Sequence, residues 1–196
     1  MQVEPVTLVG KIVRLEPLTE AHLSGLAKVG LDPGIWEFMR YGRVDTEAQL
    51  GNWVRELLEL QARGTDLPFT VIHQDTGNLI GCTRYLDIDL VNRALEIGGT
   101  WYGVEYQGTL VNSECKYLLL KHAFEELDCI RVWFKTDLRN KRSQHALESL
   151  GAVKEGVLRH HMLLPDGYIR DSVVYSILPE EWARIKLKLE AKLGVS

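Results

Sequence analysis

A glutamate, two glycines and a polar loop lie together between Leu95 and Asn112, and these residue types can support chemistry. Glu96 precedes Gly98 and Gly99 in an apolar run that has the composition of a β-strand. Burial raises the pKa of a carboxyl group and makes it a candidate general base, whereas glycine inside a strand marks a bulge or a close approach by a ligand. The segment therefore predicts a proton acceptor beside an irregular strand. The alternative is an edge or paired glutamate that faces a basic neighbour.

The polar loop that follows this strand has the features of an anion-binding site. Gln107-Gly108-Thr109 leads into an amphipathic pattern that begins near Val111. The first turn of a helix offers free backbone N–H groups and the positive end of the helix dipole, and both favour a phosphate. Strand, irregularity, loop and helix in this order predict a binding track for an extended ligand with a phosphate group. An ordinary strand-to-helix connection is the alternative.

Four further polar residues are candidates for catalysis or binding. Asn140 and Ser143 lie at the start of a later helical pattern, where Asn140 also fits the role of an N-cap. His160 and His161 lie in a strand pattern, and either could act as an acid or a base near neutral pH or face solvent instead. Adjacent strand residues point to opposite faces, so the two histidines cannot bind one metal ion together. No metal site is predicted.

The periodicity of the remaining sequence predicts the elements that must position these residues. Apolar alternation and three- and four-residue spacing give the order β, α, α, β, β, β, α, β, α, β, β, α. Turn residues at 75–78 and 165–167 predict two β-hairpins, and Pro179 predicts the start of a final helix. The 196 residues suit one domain, 1–196, with a mixed sheet and helices on both faces.

Composition argues against several classes of protein. The net charge of −4 does not suggest a general affinity for nucleic acid or for an anionic membrane, and no stretch is apolar enough for a membrane span. The sequence lacks the nucleotide-binding P-loop, the dinucleotide-binding glycine pattern and the Gly-x-Ser-x-Gly nucleophile motif. Three cysteines, Cys82, Cys115 and Cys129, are typical of reduced, mostly buried residues in a cytoplasmic protein.

Several segments together resemble the GNAT superfamily of acyl-CoA-dependent N-acetyltransferases, and most closely its RimJ/RimL-like branch of ribosomal-protein N-terminal acetyltransferases. The resemblance extends over nearly the whole chain. The segments that carry it are Val13-Arg14-Leu15-Glu16-Pro17-Leu18, Leu95-Glu96-Ile97-Gly98, Thr100-Trp101-Tyr102, Gln107-Gly108-Thr109, Arg139-Asn140-Lys141-Arg142-Ser143, Leu150-Gly151-Ala152, Glu155-Gly156-Val157-Leu158-Arg159 and Asp171-Ser172-Val173-Val174-Tyr175-Ser176. No single segment is specific, but their order and spacing are.

The resemblance implies a mixed α/β (α+β) GNAT fold. Its central, mostly antiparallel, twisted sheet of about seven strands splays between the fourth and fifth strands, and helices cover both faces. The backbone of the bulged strand would bond the pantetheine arm of acetyl-CoA, and the following loop would hold the pyrophosphate. The binding residues implied in this way are Gly99, Thr100, Trp101, Tyr102, Gln107, Gly108, Thr109, Leu110, Val111 and Asn112, together with Asn140 and Ser143.

The resemblance also implies the reaction, an acetyl transfer from acetyl-CoA to a primary amine on a protein N-terminus or on a small molecule. Glu96 would deprotonate the amine directly or through water, with His160 or His161 as the alternative base. Backbone N–H groups of the bulged strand would stabilise the developing oxyanion. The acceptor pocket would come from the Trp36–Asp45 and Leu164–Ile169 segments. An exposed C-terminal strand or helix would support a homodimer.

Two departures from the family pattern bear on function. Leu110 and Asn112 occupy glycine positions of the usual phosphate loop, so Asn112 would contact phosphate through its side chain. Leu147 occupies the position of a tyrosine that protonates the leaving thiolate in many members, which leaves Ser143 as the nearest hydroxyl. The alternative function is therefore an acyl-CoA-binding or regulatory module of the same fold without turnover.

Overall fold

Eight strands form one sheet in the computed structural model, which describes residues 1–195. The strands are β1 (Leu8–Val9), β2 (Val13–Pro17), β3 (Leu67–His73), β4 (Leu79–Asp89), β5 (Ala94–Tyr102), β6 (Arg131–Asp137), β7 (Val153–Leu163) and β8 (Ile169–Ile177). Their spatial order is β1-β2-β3-β4-β5-β6-β8-β7. Within residues 1–195 only β5 and β6 pair in parallel, so the sheet is mostly antiparallel, as predicted. The short β1 brings the count to eight strands instead of about seven.

The helices that pack on this sheet begin and end at local sequence signals. They are α1 (Leu23–Gly30), α2 (Pro33–Trp36), α3 (Glu47–Ala62), α4 (Val111–Lys121), α5 (Lys141–Leu150) and α6 (Pro179–Leu193). Asn140 caps α5, because its Oδ1 accepts a hydrogen bond from the Ser143 backbone N–H at 3.0 Å. Gly151 ends α5 in the left-handed conformation, with φ at 109°. The structure confirms both of these predicted helix ends.

Two apolar clusters cover the two faces of the sheet. The larger cluster packs α4, α5 and α6 against the strands, and the smaller one packs α1, α2 and α3 against β4 and β5. Trp101 and Tyr102 are adjacent on β5 and belong to different clusters, so the clusters lie on opposite faces. We call these the α4 face and the α3 face. Helices therefore cover both faces, as predicted.

The glycine pair in β5 forms a β-bulge. Arg84 of β4 pairs with Gly98, and Cys82 of β4 pairs with Trp101, so β5 contains one extra residue between these two pairs. Gly99 lies within this bulge and has a φ of 56°, a conformation that favours glycine. The predicted irregularity is therefore confirmed.

Immediately before the bulge, β5 loses its partner on one side. The parallel pairing of β5 with β6 ends at Glu96 and Trp133. Beyond this point β6 continues its ladder with β8 as far as Asp137, and β5 continues its ladder with β4 as far as Tyr102. The two strands therefore separate, and they are the fourth and fifth strands when β2 is counted as the first. We call the opening between them the splay.

Two further expectations concern the chain as a whole. None of the helices within residues 1–195 is long and apolar enough to cross a membrane. Cys82, Cys115 and Cys129 are free and buried, as predicted. Burial raises the pKa of the Cys115 thiol to about 12, which suits packing rather than nucleophilic chemistry.

Candidate active site

Glu96 is the last β5 residue that pairs with β6, and it is only 3% exposed. Its neighbours Leu95 and Ile97 point to the α4 face, so Glu96 points to the α3 face. Its Oε2 lies 3.1 Å from Lys135 Nζ but makes no aligned hydrogen bond within residues 1–195. Burial raises the pKa of Glu96 to about 7, against the opposing effect of the Lys135 charge. This carboxylate can therefore accept a proton near neutral pH.

Charged groups from other strands lie near Glu96. Lys135 of β6 also lies 3.3 Å from Oδ2 of Asp87, and Asp87 takes a φ of 48° at an irregularity in β4. Burial and the charges of Lys135 and Arg170 lower the pKa of His161 of β7. The imidazole of His161 is therefore neutral near pH 7, and it is a second proton acceptor in this region.

The structure separates the two histidines that the sequence proposes as bases. β7 contains extra residues opposite β8 at this point, and His160 takes a φ of 49° there. The side chain of His160 is exposed, and its backbone N–H donates to Asp171 Oδ1 at 2.7 Å. His161 is half-buried, with its Nδ1 at 2.9 Å from Ser172 Oγ. Only His161 of this pair is in the charged environment around Glu96.

Arg84 of β4 lies against the bulge, and the sequence analysis did not single it out. It is 2% exposed, its Nη2 donates to the Tyr41 hydroxyl at 2.6 Å, and its Nη1 lies 3.1 Å from Asp66 Oδ2. Its Nε would lie 2.7 Å from a Cβ on Gly99, so a larger residue there would displace the guanidinium. Gly99 therefore allows a buried cation to approach the bulged strand. An arginine inside an otherwise apolar strand pattern was the signal that could have revealed it.

The segment after α2 and the turn between β7 and β8, which were predicted to form the acceptor pocket, contact each other. Arg170 Nη1 donates to the Phe38 carbonyl at 3.3 Å. The Arg139 guanidinium lies 3.5 Å from the Tyr168 ring centroid and 5.7 Å from the Phe38 ring centroid. The charges of Arg170 and Glu96 also interact. Arg139 therefore contacts one aromatic ring from each segment, and Arg170, which follows the turn in β8, interacts with both Phe38 and the Glu96 charge.

A cleft of about 510 Å³ opens between α2 and the start of α5. Gln107 links the start of α5 to the end of β5 at this cleft, because its Oε1 accepts from Arg142 Nη1 at 2.7 Å and its Nε2 donates to the Tyr102 carbonyl at 3.1 Å. Lys141 and Arg142 are exposed cations at this cleft, and the sequence analysis had not assigned them a role. The lining residues are Asp32, Gly34, Glu37, Phe38, Val104, Gln107, Arg139, Asn140, Lys141 and Arg142.

The loop before α4 presents unpaired backbone donors. The N–H groups of Gly108, Thr109 and Leu110 make no hydrogen bond to an acceptor within residues 1–195. The Thr109 hydroxyl donates to the Tyr106 carbonyl at 2.7 Å and accepts from the Val111 N–H at 3.3 Å. This contact fixes the start of α4 at the predicted residue, with three free amides immediately before it.

Three other predicted side chains lie at the starts of α4 and α5. Asn112 Oδ1 accepts from the Tyr102 hydroxyl at 3.2 Å, which orients the amide in the first turn of α4. Asn140 Oδ1 is engaged in the cap, and Ser143 is half-buried one turn later. Leu147 is 7% exposed and belongs to the core. The side chain at position 147 therefore offers no proton to a leaving group.

Lys116 of α4 is a buried cation at the splay, and the sequence analysis missed it. It is 7% exposed, its Nζ donates to Thr100 Oγ1 at 3.2 Å, and it lies 5.6 Å from the Phe134 ring centroid. Burial lowers the pKa of Lys116 to about 8. The signal that could have revealed it is its position four residues after Asn112, which places both on one face of α4.

These groups together suit the transfer of an acyl group from a phosphate-bearing donor. A proton acceptor lies at the splay on the α3 face, and free amides and cations lie at the end of β5. Such an arrangement can deprotonate a nucleophile on one side of the sheet while holding an anionic donor along the bulged strand. Within residues 1–195 no group of three His, Cys, Asp or Glu side chains could hold a metal ion.

Comparisons with known proteins agree with this chemistry. The family model of the GNAT acetyltransferase domain matches residues 13–153. YdaF of Bacillus subtilis, described as a candidate ribosomal N-acetyltransferase, is 31% identical over 137 residues, which are 69% of this chain and 70% of YdaF. A crystal structure from T. thermophilus, described as a candidate acetyltransferase, is 41% identical at a TM-score of 0.89, covering 98% of this chain and 100% of that chain.

RimJ of Mycobacterium smegmatis, solved in complex with CoA-disulfide, shares the fold at a TM-score of 0.80 with 20% identity, covering 97% of this chain and 95% of RimJ. The domain match extends from β2 to the start of β7 and includes the bulge, the loop before α4 and the cap of α5. Members of this family use acetyl-CoA as the acyl donor. The chain belongs to the GNAT acetyltransferase family, and it is an N-acetyltransferase, as the sequence predicts.

Proposed function

We propose that this enzyme transfers the acetyl group of acetyl-CoA to a primary amine and that Glu96 is the general base. The observation that carries the proposal is the buried Glu96 carboxylate at the splay, directly before the bulge, with its pKa raised to about 7. Amines are protonated at neutral pH and must lose a proton before they attack a thioester. A general base with a pKa near the working pH is deprotonated in a large fraction of the molecules and is still basic enough to take a proton from the amine.

Acetyl-CoA would lie along β5, from the loop before α4 towards Glu96. Beyond Glu96 the β6 side of β5 has no strand partner, so the pantetheine arm would pair with it as an added strand does. The free amides at 108–110 and the cations Lys141 and Arg142 would hold the phosphates, with Asn112 adding a side-chain amide. The backbone of the bulge would supply the donors for the oxyanion.

The acceptor that we propose is the N-terminal α-amine of a protein. An α-amine has a pKa of about 7.7–8.0 and a lysine amine about 10.4, so proton transfer to Glu96 costs about 1 kcal/mol for the former and about 4–5 kcal/mol for the latter. The description of YdaF as a candidate ribosomal N-acetyltransferase supports a ribosomal protein as the substrate. A small-molecule amine of low pKa is the other candidate acceptor.

The experiment is a CoA-release assay with matched acceptors. Peptides with the N-terminal sequences of ribosomal proteins are compared with the same peptides carrying a blocked N-terminus and an internal lysine, and with small amines. We expect turnover on free N-termini and at least about tenfold less on the blocked peptides. Equal rates on both peptide sets would overturn the choice of the α-amine, and faster turnover on a small amine would replace the protein substrate.

Calorimetry with acetyl-CoA separates the enzyme from the alternative, a regulatory module without turnover. Leu147, in place of a proton-donating tyrosine, is the feature that favours this module. Binding of acetyl-CoA without CoA release on any acceptor would support the module. A titration without binding would contradict both functions.

The edge strand β7 offers a surface for the homodimer that the sequence suggests. It carries exposed apolar side chains at Val157, Leu158 and Leu163, which are 40%, 44% and 74% exposed. Exposed apolar edge strands tend to pair with another chain. We expect a dimer by light scattering and a monomer after Leu158→Lys. A monomeric wild-type protein would reject the homodimer.

A further inference from the structure

Lys116 reaches into the splay from the opposite face of the sheet to Glu96. Trp101 points to the α3 face, so its neighbour Thr100 points to the α4 face, where Lys116 meets it. Lys116 Nζ is 3.2 Å from Thr100 Oγ1 on β5 and 5.6 Å from the Phe134 ring centroid on β6. The ammonium group therefore bridges the two strands after they have separated.

Packing alone does not explain this lysine. Lys116 is 7% exposed, and Thr100, its hydrogen-bond acceptor, also shares a hydrogen bond of 2.8 Å with Thr83. No carboxylate within residues 1–195 forms an ion pair with Lys116. Lys135, by contrast, has the carboxylates of Asp87 and Glu96 within 3.3 Å. An ammonium has three N–H donors, and burying them without a counter-ion costs free energy. A buried ammonium without a counter-ion, beside the proposed acyl-transfer site, is a candidate for a functional role.

We propose that Lys116 is the general acid that protonates the CoA thiolate as it leaves, the role that Leu147 cannot perform. This inference rests on the proposed acetyl transfer. The amine nitrogen, which has given one proton to Glu96, forms a bond with the thioester carbonyl carbon and then loses a second proton to water. The C–S bond breaks, and its electron pair stays on sulfur. A proton moves from Lys116 Nζ to the sulfur to give CoA with a free thiol. The neutral lysine then regains a proton from solvent.

The geometry places the two proton transfers on the two sides of one site. A pantetheine arm paired with the free side of β5 would bring the thioester beside Thr100 and the bulge. Glu96 then faces the incoming amine from the α3 face, and Lys116 faces the departing sulfur from the α4 face. The two side chains are close enough for their charges to interact. No other cation of α4 is buried among the described residues.

The protonation behaviour of Lys116 fits a proton donor to sulfur. Burial lowers its pKa to about 8, and the neighbouring Cys115 and Glu96 oppose this shift. Thr100 on β5 and Phe134 on β6 face the ammonium without titrating in this range. The thiol of cysteine has a pKa of about 8.5 and the alkyl thiol of CoA is a weaker acid, so transfer of a proton from Lys116 to the CoA thiolate is favourable. A lysine with the usual pKa near 10.4 would be a weaker acid.

The test compares Lys116→Met with Lys121→Met, which removes an exposed lysine from the same helix. The first readout needs no turnover, because it is the thiol pKa of enzyme-bound CoA, measured from the ultraviolet absorbance of the thiolate. We expect wild-type protein and Lys121→Met to lower this thiol pKa relative to free CoA, and Lys116→Met to lose the shift. Lys116→Arg should keep the shift, because it keeps the charge.

The second readout is the pH dependence of kcat. Wild-type kcat should fall above about pH 8, where Lys116 loses its proton, and Lys116→Met should lack this fall. Its kcat near pH 7.5 should drop by about 10²-fold, the lower limit of general acid catalysis, with the KM for acetyl-CoA changed by less than about threefold. Methionine has a similar shape and no charge, so we expect the variant to fold.

Three outcomes would overturn the role of Lys116. The first is an unchanged thiol pKa of bound CoA together with an unchanged pH profile in Lys116→Met. The second is acetylation of Lys116 itself after incubation with acetyl-CoA alone, detected by mass spectrometry, because the lysine would then be a nucleophile. The third is wild-type protein that does not bind CoA, which rejects the proposed function as well. Normal wild-type turnover with an unaffected Lys116→Met rejects the Lys116 role alone.

Discussion

Glu96 and Glu114 are buried to almost the same extent but have very different neighbours. Glu96 is 3% exposed and Glu114 of α4 is 1% exposed. The Glu114 carboxylate accepts three backbone hydrogen bonds, from Lys11 at 2.9 Å, Ile12 at 2.7 Å and Val13 at 2.6 Å. Glu96 has one lysine nitrogen at 3.1 Å, and its Oε2 makes no aligned hydrogen bond within residues 1–195.

Hydrogen-bond donors, rather than burial, distinguish the anchoring carboxylate of Glu114 from that of Glu96, which we propose as the general base. Charge-assisted backbone hydrogen bonds hold Glu114 in place, and so tie the β1–β2 hairpin to α4. Gly10 permits this approach, because a Cβ there would lie 2.5 Å from Glu114 Cδ. Glu96 lacks such donors, so burial raises its pKa to about 7 and leaves it able to exchange a proton.

The largest effect that tests this comparison is the loss of activity in Glu96→Gln. Glutamine keeps the shape of the side chain but cannot accept the proton of the amine, so kcat should fall by about 10²–10³-fold. The affinity for acetyl-CoA, measured by calorimetry, should change by less than about twofold. Glu114→Gln is the matched control, and its kcat per folded molecule should stay within about twofold of wild type. An unchanged kcat in Glu96→Gln across the pH range would remove Glu96 from the mechanism.

The second effect is the loss of stability in Glu114→Gln. The change removes the charge and turns an NH₂ group towards backbone donors, so the free energy of unfolding should fall by about 2–3 kcal/mol. Urea unfolding at pH 7.5 measures it. Glu126→Gln, at an exposed position just after α4, should change stability by less than about 0.5 kcal/mol. Equal stabilities of the two variants would mean that the three backbone hydrogen bonds do not anchor the hairpin.

The third effect is a difference in how stability depends on pH. The pKa of Glu96 is about 7 in the folded protein and about 4.3 in an unfolded chain, so the folded state binds the extra proton between these values. The contribution of Glu96 to the free energy of unfolding of the wild-type protein therefore falls as the pH rises from about 4.3 to 7. Glu96→Gln lacks this loss, so its stability relative to wild type should improve by about 2 kcal/mol between pH 5 and pH 8. Parallel stability curves for the two proteins would contradict a raised pKa at Glu96.

Local sequence signals were sufficient for the bulge in β5 and for the starts of α4 and α5, whereas the splayed sheet was implied by the family resemblance. Gly98 and Gly99 predicted the bulge, Val111 the start of α4 and Asn140 the cap of α5, and each appears in the structure. These features depend on the conformational preferences of residues that are neighbours in the chain. They can therefore be predicted without knowing the tertiary structure.

The residues that the sequence analysis missed depend on contacts between distant segments. Lys116 is a polar residue in an amphipathic helix and Arg84 is a polar residue in an apolar strand, and the packing of α4 on the splay and of Tyr41 on β4 supplies their partners. The choice between the histidines depends on extra residues in β7, which turn His161 towards the charged groups and leave His160 exposed. Sequence periodicity does not reveal such an irregularity.

The smallest effect is a shift in the pH at which kcat is half-maximal on the acid side. The Lys135 charge lowers the pKa of Glu96, and the Asp87 charge raises it. Lys135→Met should therefore move this midpoint up by about half a unit or more, and Asp87→Asn should move it down. Measured profiles of kcat from pH 5 to 9 would show the two shifts. Shifts in the same direction would contradict a base placed between these charges.

The Lys135 charge lowers the pKa of His161 and the Asp87 charge raises it, as they do for Glu96. The Lys135 and Asp87 variants therefore do not by themselves identify the base. His161→Asn makes the distinction, because it removes the imidazole and leaves the Glu96 carboxylate in place. If Glu96 is the base, the acid-side limb of the kcat profile persists in His161→Asn, with its midpoint still near 7. Disappearance of this limb would assign the proton transfer to His161. Glu96 would then resemble Glu114 in function, since both would be structural carboxylates.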